Sequence, residues 1–235
     1  MNIILLEENE HFLPSSDERA KHIRKVLHLG VGDSFRAGIM NSMQGKATII
    51  SSDEKGIELA FEAEEDGSAL YPLTLIVAQV RPICMRRILR EAVSMGVGKL
   101  ILPVSDLGEK SYLGASLYTE GEYRKILIDG AMQSGFTGVS EVRIASTLEE
   151  ALSQAEGDCR ILLDNRKGAS RLAEAELEGK SVVLAIGPER GWSDREVELF
   201  ERAGYSPMLI GKRILRTETA AVGGTLLALS RMGFV

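Results

Sequence analysis

The chain lacks long apolar runs, a cysteine framework, clustered histidines and an excess of basic residues, and each absence removes a class of function. No apolar run approaches the roughly 20 residues needed to cross a membrane. The opening MNIILLEENEHF has neither the basic flank nor the long apolar core of a signal peptide. Cytoplasmic residence is the resulting expectation. Cys84 and Cys159 stand alone, without a C-x-x-C pair, and there are 3 histidines. Neither a disulfide framework nor a zinc site is indicated, and no metal is expected. No G-x-G-x-x-G opens a helix after the first strand and no G-x-x-x-x-G-K-[ST] occurs, which disfavours Rossmann dinucleotide binding and P-loop phosphate binding. The net charge is −6, so any nucleic-acid contact has to come from local patches.

What is present suits an ordinary globular protein. With 235 residues, 44% of them hydrophobic and 26% charged, the chain can bury one large core or two small ones. The acid excess is confined to residues 1–70, which hold 7 Lys and Arg against 13 Asp and Glu, while the remainder carries 21 of each. Residues 3–6 (IILL) read as a strand. Ser15 and Glu18 offer a capping box for a helix running to Gly30, with Ile23, Val26 and Leu27 apolar. Its polar residues Arg19, Lys21, His22, Arg24, Lys25 and His28 form a basic surface inside an acidic region. Such a surface suits phosphate contacts, and a merely solvated face is the equal alternative. Alternating runs then follow: SFRAGIM, a turn at residues 41–45, KATIISS and GIELAFEAE, a pattern for an antiparallel β unit. EEDGSALYP (residues 64–72) is the candidate linker.

Beyond it the pattern changes to alternating strands and helices. LTLIVAQV (73–80) is an unbroken apolar strand, ICMRRILREAVSMGV an amphipathic helix, and KLILPVSD (99–106) a strand. TEGEYRKILIDGAMQSG, the capped TLEEALSQA and CRILLDN (159–165) continue the alternation, which predicts a mostly parallel, doubly wound α/β sheet. The last quarter carries the chemistry. Strand VVLAI stops at Gly187-Pro188, and Ser193 with Glu196 makes a capping box for a helix that Gly204 ends. A second run, Met208 to Ile210, stops at Gly211, and ligands bind outside the carboxyl ends of such strands. A final helix from about Thr217 is almost wholly apolar yet holds Gly223 and Gly224, each costing about 1 kcal/mol against alanine, so a close neighbour is expected there.

The strings IGPERGWSDREVELF and LIGKRILRTETAA, with HIRKVLHLGVGD (22–33) and AMQSG (131–135) upstream, resemble the signature of the RsmE-type 16S ribosomal RNA methyltransferases of the SPOUT superfamily. The resemblance implies a small PUA-like, RNA-binding β-barrel over residues 1–70. It further implies a knotted S-adenosylmethionine-binding methyltransferase domain over residues 71–235, with the trefoil knot formed by CRILLDN, SVVLAIG and SPMLIG and the last helix tucked through it. It also implies a homodimer packed through the terminal helices and methylation of uridine N3 in 16S rRNA of the small ribosomal subunit.

Carried over residue by residue, the resemblance implies cofactor contacts at Leu163, Ile186, Gly187, Glu189, Gly191, Ile210, Gly211, Ile214, Leu215, Arg216 and Thr219. Glycine lets main chain approach a ligand, and Ile214 with Leu215 offers adenine an apolar slot. Arg216 is the candidate cation, and Glu189 and Glu218 the candidate carboxylates for orientation or proton acceptance. A structural ion pair between Arg216 and Glu218 is the alternative. RNA contacts fall to Arg19, Lys21, His22, Arg24, Lys25 and Arg190. Three departures are visible: Arg190 where the family usually has glycine, VSMGV for its TELGV, and Phe136 where relatives commonly carry arginine. A different RNA acceptor (a transfer RNA base or a ribose) and a non-catalytic RNA-binding or ribosome-assembly role are the competing readings; the intact ILRTETA (214–220) weighs against the non-catalytic one, and only mapping of the RNA product separates the two acceptors.

Overall fold

The computed structural model describes residues 1–165 and 168–235, which form two compact units. The first contains β1 (Ile4–Leu6), β2 (Phe12–Pro14), α1 (Glu18–Lys25), β3 (Ser34–Ile39), β4 (Met43–Ser52) and β5 (Gly56–Asp66). The strands make one sheet in the order β1-β3-β4-β5-β2, in which β1 is parallel to β3 and the other pairs are antiparallel. Alternation decides the faces: Phe35, Ala37, Ala47 and Ile49 turn inward and join Leu13, Ile23, Ile57 and Leu59 in a core, while Ser34, Arg36 and Lys46 face water.

Helix α1 begins differently from its expected box. The Ser15 amide donates to Lys55 O at 2.8 Å and stays in the preceding turn, so Asp17 takes the cap and accepts from the Arg19 amide at 2.8 Å. The helix also ends early, at Lys25, and beyond its cap Val26 the chain passes through His28 at a left-handed φ of 55°. This unit further takes in residues Ile128–Val139. Asn2 and Ile3 both donate backbone N–H to Met132 O, and the Val139 amide donates to Asn41 Oδ1 at 2.8 Å.

The second unit alternates as the periodicity predicts. Its elements are β6 (Tyr71–Val77), α2 (Pro82–Ser94), β7 (Val97–Pro103), α3 (Ser116–Thr119), the helix α4 (Tyr123–Ser134) up to Leu127, and β8 (Glu141–Ala145). There follow α5 (Leu148–Ser153), β9 (Cys159–Leu163), β10 (Ser170–Arg171), β11 (Val182–Ile186), α6 (Asp194–Arg202), β12 (Ser206–Leu209) and α7 (Thr217–Met232). The seven strands run β10-β12-β9-β11-β6-β7-β8, every pair parallel. All five residues of central β11 are buried, as an unbroken apolar run requires. One face packs against Trp192, Phe200 and Tyr205, whose neighbouring rings meet edge-on with centroids 4.9 Å apart. Gly224 of α7 lies against the sheet, where an added Cβ would stand 2.7 Å from Leu163 Cδ1 and 3.3 Å from Leu184 Cδ2. Gly223 has nothing within 4 Å of such an atom, so the close neighbour expected for both glycines belongs to one.

Among the described residues no helix is long and apolar enough to cross a membrane.

Candidate active site

The order β12-β9-β11 brings three strand ends side by side. Leu163 pairs with Ile186 on one flank and with Met208 on the other, so the chain leaves β9, β11 and β12 at one level. The loops that follow line a cavity of about 300 Å³. Its apolar wall comes from Leu163, Ile186, Met208, Leu209, Ile210, Ile214 and Leu215, and its polar rim from Asp164, Asn165, Glu189, Arg190 and Arg213. Of the expected cofactor contacts, Leu163, Ile186, Gly187, Glu189, Gly191, Ile210, Gly211, Ile214 and Leu215 stand on this wall.

Arg216, Thr219 and Glu218 do not. Arg216 caps α7 with an extended backbone and an exposed side chain, Thr219 is exposed one turn on, and Thr217 and Ala220 take the inward positions. A helix shows a given side every 3.6 residues, so the face of α7 that lines the cavity passes through 217 and 220 rather than 216 and 219. Arg216 and Glu218 form no ion pair with each other. The cavity is also lined by Asp164 and Asn165, which end the expected strand CRILLDN, and by Pro188, Trp192, Met208, Leu209 and Arg213, which border the two glycine turns.

The β11–α6 turn is built for close approach. Gly191 adopts φ +74°, and its amide closes the turn on Pro188 O at 2.9 Å. A Cβ on Gly187 would stand 3.2 Å from the Trp192 indole, whereas one on Gly211 would meet no protein atom within 4 Å. The expected capping box is present, with Glu196 fully buried. The Glu196 carboxylate accepts from the Ser193 amide at 2.8 Å and from the Asp106 amide, across on the loop after β7, at 2.9 Å. Arg195 grips both oxygens of Asp106 (2.9 and 2.8 Å) and reaches Glu149 at 2.6 Å. Arg195, and then the Ser193 hydroxyl, hold the Asp106 carboxyl below its ordinary value.

Burial pushes the Cys84 thiol up first, and the charges of Glu218 and Glu189 add to the shift. Among the described residues no three His, Cys, Asp or Glu side chains are grouped to hold a metal ion.

The six expected RNA contacts divide. Arg190 is exposed on the rim of the cavity and Lys25 is exposed at the end of α1. Arg19 is consumed internally, hydrogen-bonded to Glu10, Asp17 and Leu5 O. Lys21 pairs with Glu18, and Arg24 donates to the carbonyls of Asp53 and Gly56. Burial lowers the His22 imidazole below its usual value, which favours the neutral ring.

A family model described as an RNA methyltransferase domain matches residues 67–230. The ribosomal RNA small subunit methyltransferase E of Treponema pallidum is 36% identical over 98% of this chain and 91% of its own length. Ribosomal RNA small subunit methyltransferase E 1 of Borreliella burgdorferi is 31% identical over 99% of both. Among solved structures, a probable rRNA methyltransferase from Porphyromonas gingivalis superposes with a TM-score of 0.83 at 21% identity over 99% of each chain. The small subunit methyltransferase E of Neisseria gonorrhoeae, bound to S-adenosylmethionine, gives 0.77 at 21% identity over 98% of this chain and 97% of its own. With its α/β methyltransferase fold, a family model over more than half its length and close relatives along nearly all of it, the chain belongs to the RNA methyltransferase family of the ribosomal RNA small subunit methyltransferases E.

Proposed function

We propose that the protein transfers a methyl group from S-adenosylmethionine to N3 of a uridine in 16S rRNA of the small ribosomal subunit, in the cytoplasm and as a homodimer. The observation that carries this reading is the cavity at the three aligned strand ends. It combines an apolar wall with glycine main chain, and the open Cβ position at Gly211 leaves room for a ligand rather than for a side chain. Those are the requirements of a flat adenine with a polar tail. Relatives named for ribosomal RNA methylation, one of them solved with S-adenosylmethionine, support the substrate and the cofactor.

When bound, S-adenosylmethionine supplies an electrophilic methyl group on a sulfonium sulfur. The chain's own residues then have two tasks. Ile186, Ile210 and Leu215 with Gly187, Gly191 and Gly211 hold the cofactor and exclude water, so most of the rate comes from positioning. Glu189, exposed on the rim, accepts the N3 proton; Arg216 and Glu218, at the start of α7, orient the RNA strand. Lys25 and Arg190 carry the sequence-independent RNA contact, with Lys21, Arg24 and His22 contributing where their internal partners release them.

The finer architecture belongs to the same reading. The chain passes from β9 over to β11, back across to β12, and returns as α7 against α2 and β11, which supports a trefoil knot around the cofactor loops. The five-stranded first sheet, with its inward Phe35 and Ile49, supports a PUA-like RNA-binding module within residues 1–70, leaving 71–235 for methyl transfer. Val222, Gly223 and Leu226 put an apolar stripe on the outside of α7, and that stripe supports the homodimer.

The test is transfer of labelled methyl from S-adenosylmethionine to small ribosomal subunits lacking uridine N3 methylation, with the product nucleoside identified by mass spectrometry. N3-methyluridine at one site is the expected result. Another methylated nucleoside would reassign the acceptor, and no incorporation by protein that binds the cofactor would sink the reading.

A further inference from the structure

We propose that Arg81 is a catalytic residue that meets the acceptor nucleotide, its guanidinium donating to an anionic oxygen of that nucleotide alongside the turn that carries Glu189. The inference deepens the methyl-transfer reading and rests on it. It begins with the path of the chain. Val77 pairs with Ile186, and the Ala78 amide donates to Ile186 O at 3.1 Å, so residues 78–81 leave the sheet alongside the Gly187–Gly191 turn.

That path is held on its other sides as well. The Gln79 amide donates to Pro103 O, and its buried side chain donates to Leu102 O, each at 2.9 Å. The buried Tyr118 hydroxyl donates to Val80 O at 2.8 Å. Arg81 then caps α2 ahead of Pro82, whose ring fixes the turn into the helix. A long side chain thus springs from backbone clamped at three consecutive residues, the support that a substrate contact needs.

The surroundings of the guanidinium point the same way. Arg81 is exposed, and Tyr112 first, then the charges of Cys84 and Glu189, raise its guanidinium above the usual value. Glu218 and Arg87 face Cys84 in turn, and Arg86 is tied to Glu122. Arg19, Arg86 and Arg195 are all neutralised by carboxylates within bonding distance; Arg81 has no such ion pair among the described residues. It therefore keeps its charge and N–H donors where the chain leaves the sheet alongside the turn that carries Glu189.

The role follows from the charge balance of the reaction. N3 of uridine gives its proton to Glu189, and its electron pair bonds the methyl carbon while the carbon–sulfur bond breaks toward sulfur. Before transfer, the negative charge left on the base spreads onto its two carbonyl oxygens. A guanidinium donating to one of them favours loss of the proton and stabilises the transition state. A donor aimed at the neighbouring phosphate would instead fix the position of the nucleotide, and the experiment separates the two.

The experiment compares full-length wild type with Arg81→Ala, Arg81→Gln and Arg81→Lys on unmethylated small ribosomal subunits. It reads kcat and KM, the pH profile of kcat, the salt dependence of subunit binding, and cofactor affinity by calorimetry. The expected result is a kcat lower by on the order of 100-fold in Arg81→Ala and Arg81→Gln, partly recovered in Arg81→Lys, with cofactor affinity unchanged. A rise of the rate–pH profile displaced to higher pH assigns the contact to the base. A salt slope smaller by about one with the profile unmoved assigns it to a phosphate. Unchanged kcat, profile and slope would overturn the inference, as would cofactor affinity lost in both Arg81→Ala and Arg81→Gln, which would make the arginine a part of the fold. Absence of methylated product from wild type sinks the methyl-transfer reading itself and is distinct from either result.

Discussion

Gly211 and Glu196 act at the same cavity through opposite kinds of environment. Gly211 borders it with open space where a Cβ would be, and it does not adopt a left-handed φ. Gly211→Val should therefore leave stability within about 0.5 kcal/mol while lowering cofactor affinity at least about tenfold, as measured by calorimetry against thermal melting. Glu196 is buried and gives its carboxylate to two backbone amides, those of Ser193 and Asp106. Glu196→Ala should cost about 2–3 kcal/mol in denaturant unfolding by orphaning both donors, and it should loosen the β11–α6 turn enough to raise the cofactor dissociation constant. The box S-x-x-E was legible from spacing alone; the second amide, 90 residues away on another loop, was not, because a hydrogen bond across elements leaves no mark in local sequence.

At the scale of the element, α7 and α1 show what periodicity can and cannot say. The apolar run Thr217–Met232 announced a helix buried on most sides, and two adjacent glycines announced close packing. Which glycine is packed depends on the rotation of α7 against β9 and β11, a tertiary quantity. Gly224→Ala should push on Leu163 and Leu184, with an overpacking cost of about 1–3 kcal/mol that outweighs the gain in helix propensity and lowers cofactor affinity through Leu163. Gly223→Ala, with open space around it, should show only the propensity gain of about 1 kcal/mol in the melting of the isolated protomer. In α1 the run of basic residues suggested one surface, yet Arg19 and Arg24 turn back into their own unit, since a long side chain near carboxylates and free carbonyls has partners closer than solvent. Hydrogen bonding to Arg19 holds the Asp17 carboxyl below the ordinary aspartate value of 3.8. The stability this adds is present above that value and disappears as pH falls through the lower, folded value. Asp17→Asn, which keeps a capping oxygen, should flatten the fall in stability below pH 4 in acid titrations followed by circular dichroism.

For the molecule as a whole, the change from period-two alternation to strand–helix alternation near residue 70 marked where one kind of architecture gives way to another. Residues 128–139 nevertheless join the first unit, through Met132 O and the Asn41 side chain, and no compositional shift announces it. The short strands β2, β8 and β10 carry little local signal for a related reason: β8, for one, is a sheet-edge strand with one buried residue in five, so its apolar pattern is faint. At this scale the proposed homodimer makes its own prediction. Leu226, 45% exposed on the outer stripe of α7, should when changed to Glu give a monomer in sedimentation experiments while far-ultraviolet dichroism stays that of the wild type.

The sequence by itself determined the parallel α/β class, the glycine turns after β11 and β12 and the cap of α6, because each is written in neighbouring residues through propensity, period or a turn, while most of the residues on the cavity wall were reached through the family resemblance. Only the tertiary structure decided that β9, β11 and β12 end at one level, that the inward face of α7 runs through Thr217 and Ala220, and that the chain before Arg81 leaves the sheet alongside the turn after β11. Those are relations between segments about 20 to more than 100 residues apart, set by strand order and helix rotation, and no local pattern encodes either.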